Sequence, residues 1–171
     1  TVGTSSPRRA VQLMAFRPDL EIVDLRGNLD TRLRKVSTGV VDAAVLAAAG
    51  IIRMGWKDKI TQYLPPEIVL PAVGQGALAI EIRQDDEQIA EILKVIDHWP
   101  TRQAVTAERA CLQYLGSGCN VPAAIYGQIR DDNLNLLGMV ATPDGNHIIR
   151  SGLTGDVNIP DGLGHLLARR L

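Results

Sequence analysis

Apolar and polar positions in the first fifty residues switch period again and again. Thr1 to Gly3 reads as the tail of a strand, and Thr4-Ser5-Ser6 as a polar turn able to cap a helix. Pro7 suits the first helical position, and Val11, Leu13 and Met14 share one face of a short helix that stops near Pro18. Glu21 to Leu25 alternates as a strand ending at Arg26-Gly27-Asn28, and a helix follows from Asp30 to Val36, closed by Gly39. Val40 to Leu46 reads as the next strand and Ala47 to Met54 as a third helix, ended by Gly55. Strand and helix alternating at this spacing predict a parallel or mixed sheet with helices on both faces.

From Ile60 the pattern changes. Leu64-Pro65-Pro66 breaks the chain, and Ile68 to Leu70 and Ala77 to Ile82 read as strands around Pro71-Ala72-Val73-Gly74-Gln75-Gly76. Asp85 to Ile96 is patterned as a helix, with Ile89, Ile92, Leu93 and Ile96 on one face. A boundary is placed at His98-Trp99-Pro100. Beyond it Thr101 to Leu115 is helical, with Ala104, Val105, Ala107, Ala110, Cys111 and Leu115 inward. Three strands, Ala123 to Ile129, Leu134 to Ala141 and His147 to Leu153, are joined by turn signals and predict an antiparallel meander, which a helix from Asp161 would cover. The fold class is therefore α/β, followed by a small α+β domain. The ends, a strand tail without methionine and an uncapped amphipathic helix, read as those of a piece of a longer protein.

Composition narrows the functions. The 171 residues are 46% hydrophobic and 22% charged, a normal core-forming balance. A net charge of -1 offers no field to recruit nucleic acid or a membrane surface, and aromatics at 4% are too few for base stacking. No apolar run is long enough to span a bilayer, and no signal peptide is visible. Cys111 and Cys119 lack the paired spacing of a zinc site, and both are expected as free thiols.

The arginines are placed unusually. Arg8 and Arg9 fall in the first turn of a helix, where the macrodipole disfavours cations. Arg26 and Arg32 flank the second strand–helix junction, and Arg53 follows the third. In a doubly wound sheet these junctions open on one crevice beyond the strand ends, so the set reads as a polyanion site; solvated surface arginines are the alternative. Without a ligand the two first-turn arginines would gain the fold nothing, so their loss should leave stability unchanged or slightly higher. Gly74-Gln75-Gly76 lacks the helix and third glycine of a dinucleotide loop and reads as a joint, with Gln75 as a possible polar contact. Asp42, Glu81 and Glu108 read as surface or helix-pairing groups. His98, His147 and His165 have no metal-like spacing, and no metal is expected. Cys119, framed by Gly116, Gly118 and Pro122, lies in a turn where a large group could reach the sulfur; an ordinary loop cysteine fits as well.

Gly3-Thr4-Ser5-Ser6-Pro7-Arg8-Arg9, Leu25-Arg26-Gly27-Asn28 with Thr31-Arg32-Leu33, Leu70-Pro71-Ala72-Val73-Gly74-Gln75-Gly76 and Gly118-Cys119-Asn120-Val121-Pro122 occur in this order. Together they closely resemble the porphobilinogen deaminase (hydroxymethylbilane synthase) family, across essentially the whole chain. Ala48-Ala49-Gly50, Arg53 and Thr106-Ala107-Glu108-Arg109 fit the same family.

That resemblance implies a transferase that joins four porphobilinogen molecules into linear hydroxymethylbilane on a dipyrromethane cofactor. It implies that the cofactor is held through a thioether on Cys119, with Ser5, Ser6, Arg8, Arg9, Arg26, Arg32 and Gln75 around it. Arg8, Arg26, Arg32 and Arg53 would bind the acetate and propionate groups of the substrate. It implies a sheet like that of type II periplasmic binding proteins, with residues 1–73 as most of a second domain. Residues 74–98 would return to a first domain, and 99–171 would form the cysteine-bearing third. The family's catalytic aspartate has no matching position here. The expected working unit is a monomer, cytoplasmic or in the plastid of a plant or alga. A non-enzymatic anion-binding module of similar fold is the rival, and a cysteine hydrolase a third reading.

Overall fold

β1 (Val2–Gly3) lies in the middle of a parallel three-stranded sheet, between β2 (Ile22–Val23) and β3 (Ala43–Ala44). Val2 pairs with Ile22 on one side and Ala43 on the other, and Gly3 with Val23 and Ala44. The structure, a computed structural model, describes residues 1–116 and 121–171. Cys119 and its neighbours at 117, 118 and 120 lie outside the described residues.

The regular strands are shorter than the alternation at 21–25 and 40–46 predicts. The ladder is continued by single bonds, Thr4 N–H to the Val23 carbonyl at 3.0 Å and Val45 N–H to the Gly3 carbonyl at 3.1 Å. Beyond them the carbonyls of Leu25 and Val45 are taken by side chains, from Ser5 and Arg9, so pairing stops where the chain turns into its helices.

Helix α1 (Pro7–Phe16) is capped by Ser6, with Pro7 at its first turn, as expected. Helix α2 (Leu29–Ser37) is capped by Asn28, whose side chain accepts the Thr31 N–H at 2.8 Å. Helix α3 (Ala48–Arg53) closes the third strand–helix unit and leads to a short 3-10 turn at Lys57–Lys59. Val11, Leu13, Leu25, Val41, Ile51 and Leu70 are buried here.

Residues 68–70 form no strand but a turn, with Ile68 and Val69 N–H groups both bound to the Pro65 carbonyl. Residues 77–82 likewise form no strand among the described residues, and Leu78 is 95% exposed. A strand exists only through its neighbour's hydrogen bonds, and alternation alone cannot supply the neighbour. The helix predicted over 85–96 is divided into α4 (Glu87–Leu93) and a 3-10 turn at Lys94–Ile96.

Helix α5 (Trp99–Tyr114) begins at His98, whose Nδ1 accepts the Thr101 N–H at 3.3 Å. Strands β4 (Ala123–Arg130), β5 (Asn133–Ala141) and β6 (Ile148–Asp156) form the expected antiparallel meander in the order β4-β5-β6, and α6 (Pro160–Ala168) follows. Ala107, Cys111, Ile125, Leu134, Leu136, Leu163 and Leu167 make one aliphatic core. A Cβ on Gly164 would sit 2.3 Å from the Ala107 carbonyl oxygen, so α6 can approach α5 this closely only with glycine there. The described chain divides into two compact units: residues 1–71 with 121–124 and 139–149, and residues 72–116 with 125–138 and 150–171. Among the described residues no helix is long and apolar enough to cross a membrane.

Candidate functional site

In a parallel sheet with its first strand central, the chain leaves β1 for one side and later returns to the other. All three strand ends point the same way, and in sheets of this kind ligands bind beyond those ends, where the strand order reverses beside the central strand. Thr4 to Arg9 occupies that position. The Thr4 hydroxyl accepts the Ser6 N–H at 3.2 Å, and the Ser6 hydroxyl accepts the Arg9 N–H at 3.4 Å, which fixes the turn and starts α1.

Side chains then stitch the neighbouring junctions onto this turn. Ser5 Oγ donates to the Leu25 carbonyl at 2.6 Å, joining the first junction to the second. Arg9 Nη1 donates to the Val45 carbonyl at 2.9 Å, joining it to the third. Arg8 Nη1 donates to the carbonyl of Leu70. At the second junction Gly27, at φ +119°, turns the chain, and Arg32 Nε donates to its carbonyl at 2.8 Å. A Cβ on Gly27 would lie 2.8 Å from Thr31 Cγ2, so that turn needs glycine twice over, for conformation and for room.

The charges crowd each other. Burial lowers Arg8 to about 10, and the neighbouring Arg9 charge pushes the same way. Arg9 is also lowered, by burial first and then by Arg32. No carboxylate forms an ion pair with Arg9 or Arg32 among the described residues. Arg9 thus stands between two like charges, Arg8 on its own helix and Arg32 on α2. Arg26 stands apart from this cluster: it pairs with Asp24 at 2.7 Å and is 84% exposed. Arg53 is exposed in the last turn of α3. Gln75 is exposed in the second unit, its Oε1 accepting the Ala72 N–H at 3.1 Å. Among the described residues no cluster of histidine, cysteine and carboxylate groups could hold a metal ion.

Two family models cover the chain. "Porphobilinogen deaminase, dipyromethane cofactor binding domain" matches residues 1–91, and "Porphobilinogen deaminase, C-terminal domain" matches residues 102–171. The chain belongs to the porphobilinogen deaminase family. It is 51% identical over 170 residues to the porphobilinogen deaminases of Desulforudis audaxviator and Pelotomaculum thermopropionicum, and 45% identical to that of Geobacter sulfurreducens. Each alignment takes in 99% of this chain and 54–55% of the relative, so the chain spans about half the length of the curated relatives it matches.

Two residues that the sequence marked for no such role hold the framework. Glu108, expected as a surface or helix-pairing group, is 5% exposed on α5, and its carboxylate accepts the N–H of Gly74 at 2.7 Å and of Gly127 at 2.8 Å. Burial raises its pKa, and the two amide bonds act against that rise. Gln12 is fully buried, and its side chain binds both polar groups of Leu70. A glutamine between Val11 and Leu13, on an apolar helix face, was the available signal for the second. Cys111 is a buried free thiol whose pKa is pushed up to about 11 by its apolar surroundings, which makes it a packing residue.

Proposed function

We propose that this chain is part of a hydroxymethylbilane synthase, the transferase that deaminates four porphobilinogen molecules and joins them head to tail on a covalent dipyrromethane. The observation that carries the reading is the cluster of Arg8, Arg9 and Arg32 beyond the strand ends of the parallel sheet, with Arg8 and Arg9 partly desolvated and Arg9 crowded by both neighbours. A growing tetrapyrrole carries an acetate and a propionate on every ring. A row of carboxylates is the ligand whose charge such a cluster offsets, and the arginine fork binds each one bidentately.

The donor set fits a dipyrromethane, because its four carboxylates match several guanidinium groups flanking one helix start. When bound, that group supplies the electron-rich pyrrole end to which substrate units are added. In this reading Cys119 is its anchor. Arg8, Arg9 and Arg32 hold its carboxylates, and Arg26 and Arg53 extend the site toward incoming porphobilinogen from exposed positions. Ser5, Ser6 and Gln75 add polar contacts. Arg26 would exchange Asp24 for a ligand carboxylate, and the α1 amides would favour the same negative charge. No residue of this chain is assigned the role of the family's aspartate. The reading includes a sheet like that of type II periplasmic binding proteins, domains at 1–73, 74–98 and 99–171, and a monomer working in the cytoplasm or a plastid.

Intact mass and peptide mapping of the full-length parent protein test it. One dipyrromethane on the peptide containing Cys119 is expected, and Cys119→Ala should remove both the added mass and turnover. A dipyrrole found on Cys111, or on neither thiol, would overturn the assignment. Complete absence of the adduct would favour a non-enzymatic anion-binding module.

A further inference from the structure

Gln12 is 0% exposed, in the middle of α1, one turn after Arg8. Its Nε2 donates to the Arg8 carbonyl at 3.0 Å and to the Leu70 carbonyl at 3.2 Å, and its Oε1 accepts the Leu70 N–H at 2.9 Å. The carboxamide thus reads both polar groups of one distant residue, as the next strand of a sheet would. The same Leu70 carbonyl accepts a bond from Arg8 Nη1. Leu70 is itself 2% exposed, so neither donor can be replaced by solvent without opening the packing.

We propose that Gln12 is a positioning residue for ligand binding: it holds Leu70 where that carbonyl orients the Arg8 guanidinium toward a ligand carboxylate. The proposal rests on the carboxylate-binding reading given above. A guanidinium is planar and rigid, so fixing one of its nitrogens on a placed carbonyl sets the plane of the remaining donors. An arginine on a mobile anchor would lose that orientation while keeping its charge. Gln12 does this without touching the ligand, because its own donors and acceptor face backbone inside the unit.

The test uses the full-length parent protein, porphobilinogen as the probe, and a double-mutant cycle of Gln12→Leu with Arg8→Lys. In protein without substrate, Gln12→Leu should speed hydrogen exchange at the Leu70 amide by about tenfold or more, since its acceptor is gone. It should raise KM for porphobilinogen about tenfold with kcat changed less than about twofold, the pattern of lost ground-state binding. In the Arg8→Lys background the same substitution should change KM by less than about twofold, because the fork it orients is already missing. Effects that multiply instead of overlapping would show a general structural role and overturn the proposal, as would unchanged exchange at Leu70. If Gln12→Leu does not fold, Gln12→Glu carries the cycle. It keeps the acceptor for the Leu70 N–H but loses both donors, so Leu70 should stay protected while KM still rises, and an unchanged KM overturns the proposal. A parent protein that gains no mass from porphobilinogen sinks the functional reading and the ligand role with it; the Leu70 exchange result then separates that failure from a failure of the hold itself.

Discussion

Arg9 stands in the first turn of α1, where the helix dipole opposes a cation, and the sequence suggested that only a ligand could justify it. The structure corrects that expectation. Arg9 holds the Val45 carbonyl and Arg8 the Leu70 carbonyl, so both also tie the helix to neighbouring chain. Arg9→Leu should therefore lower stability by about 1 kcal/mol, the loss of a charged hydrogen bond offset in part by relief of desolvation and repulsion. On the proposed reading it should also cut porphobilinogen turnover by the full-length parent protein by at least about tenfold, with Arg9→Lys recovering only part. Thermal melts and turnover measured on the same preparations decide this; full turnover in the leucine variant would remove Arg9 from the site. Glu108 gives a second residue-level prediction. Gln offers one oxygen where two separate amides are served, so Glu108→Gln should cost about 1–2 kcal/mol. Folding favours the protonated form of Glu108, because its pKa is raised above the ordinary 4.5. Its contribution is then full below that value and declines as pH rises through the folded value. The deficit of the Gln variant should be smaller at pH 7 than at pH 4, and urea midpoints across that range would contradict it by widening instead. The partner of neither Glu108 nor Gln12 was legible in the sequence, since each is a backbone group distant along the chain: Gly74 is 34 residues from Glu108 and Leu70 is 58 from Gln12; only the apolar neighbours of Gln12 signalled that it is buried.

The elements themselves were more readable than their edges. Helices α1, α2, α3, α5 and α6 lie close to where capping residues and apolar spacing put them, because those signals are local. The meander was legible for the same reason, its turns carrying Asp, Asn, Pro and Gly in tight clusters. Residues 68–70 misread as a strand because Gln12 takes the Leu70 N–H and carbonyl that a ladder would use. Packing between elements leaves its mark in small residues. Gly164→Ala should separate α6 from α5 and cost about 2–3 kcal/mol, since the new methyl meets main chain, which cannot rotate away. Equal melting temperatures for the two proteins would refute the close approach.

At the scale of the whole molecule, the segment after the Gly74 turn keeps a row of large apolar side chains in solvent. Leu78 is 95%, Ile80 58%, Val95 88% and Ile96 63% exposed. An uncovered row of this kind favours association. Leu78→Lys with Ile80→Lys should reduce self-association of this chain severalfold without lowering its melting temperature, as read by sedimentation velocity over a range of concentrations. An unchanged sedimentation profile would show that another surface carries any association. The arginine turn, by contrast, is held through the carbonyls of Leu25, Val45 and Leu70, not through their side chains. A carbonyl is common to every amino acid, so these three positions can drift among aliphatic residues over evolutionary time while the grip on the turn persists. Variant libraries at 25, 45 and 70 should therefore be limited by volume alone, and a designer could repack beneath the site without rewriting it.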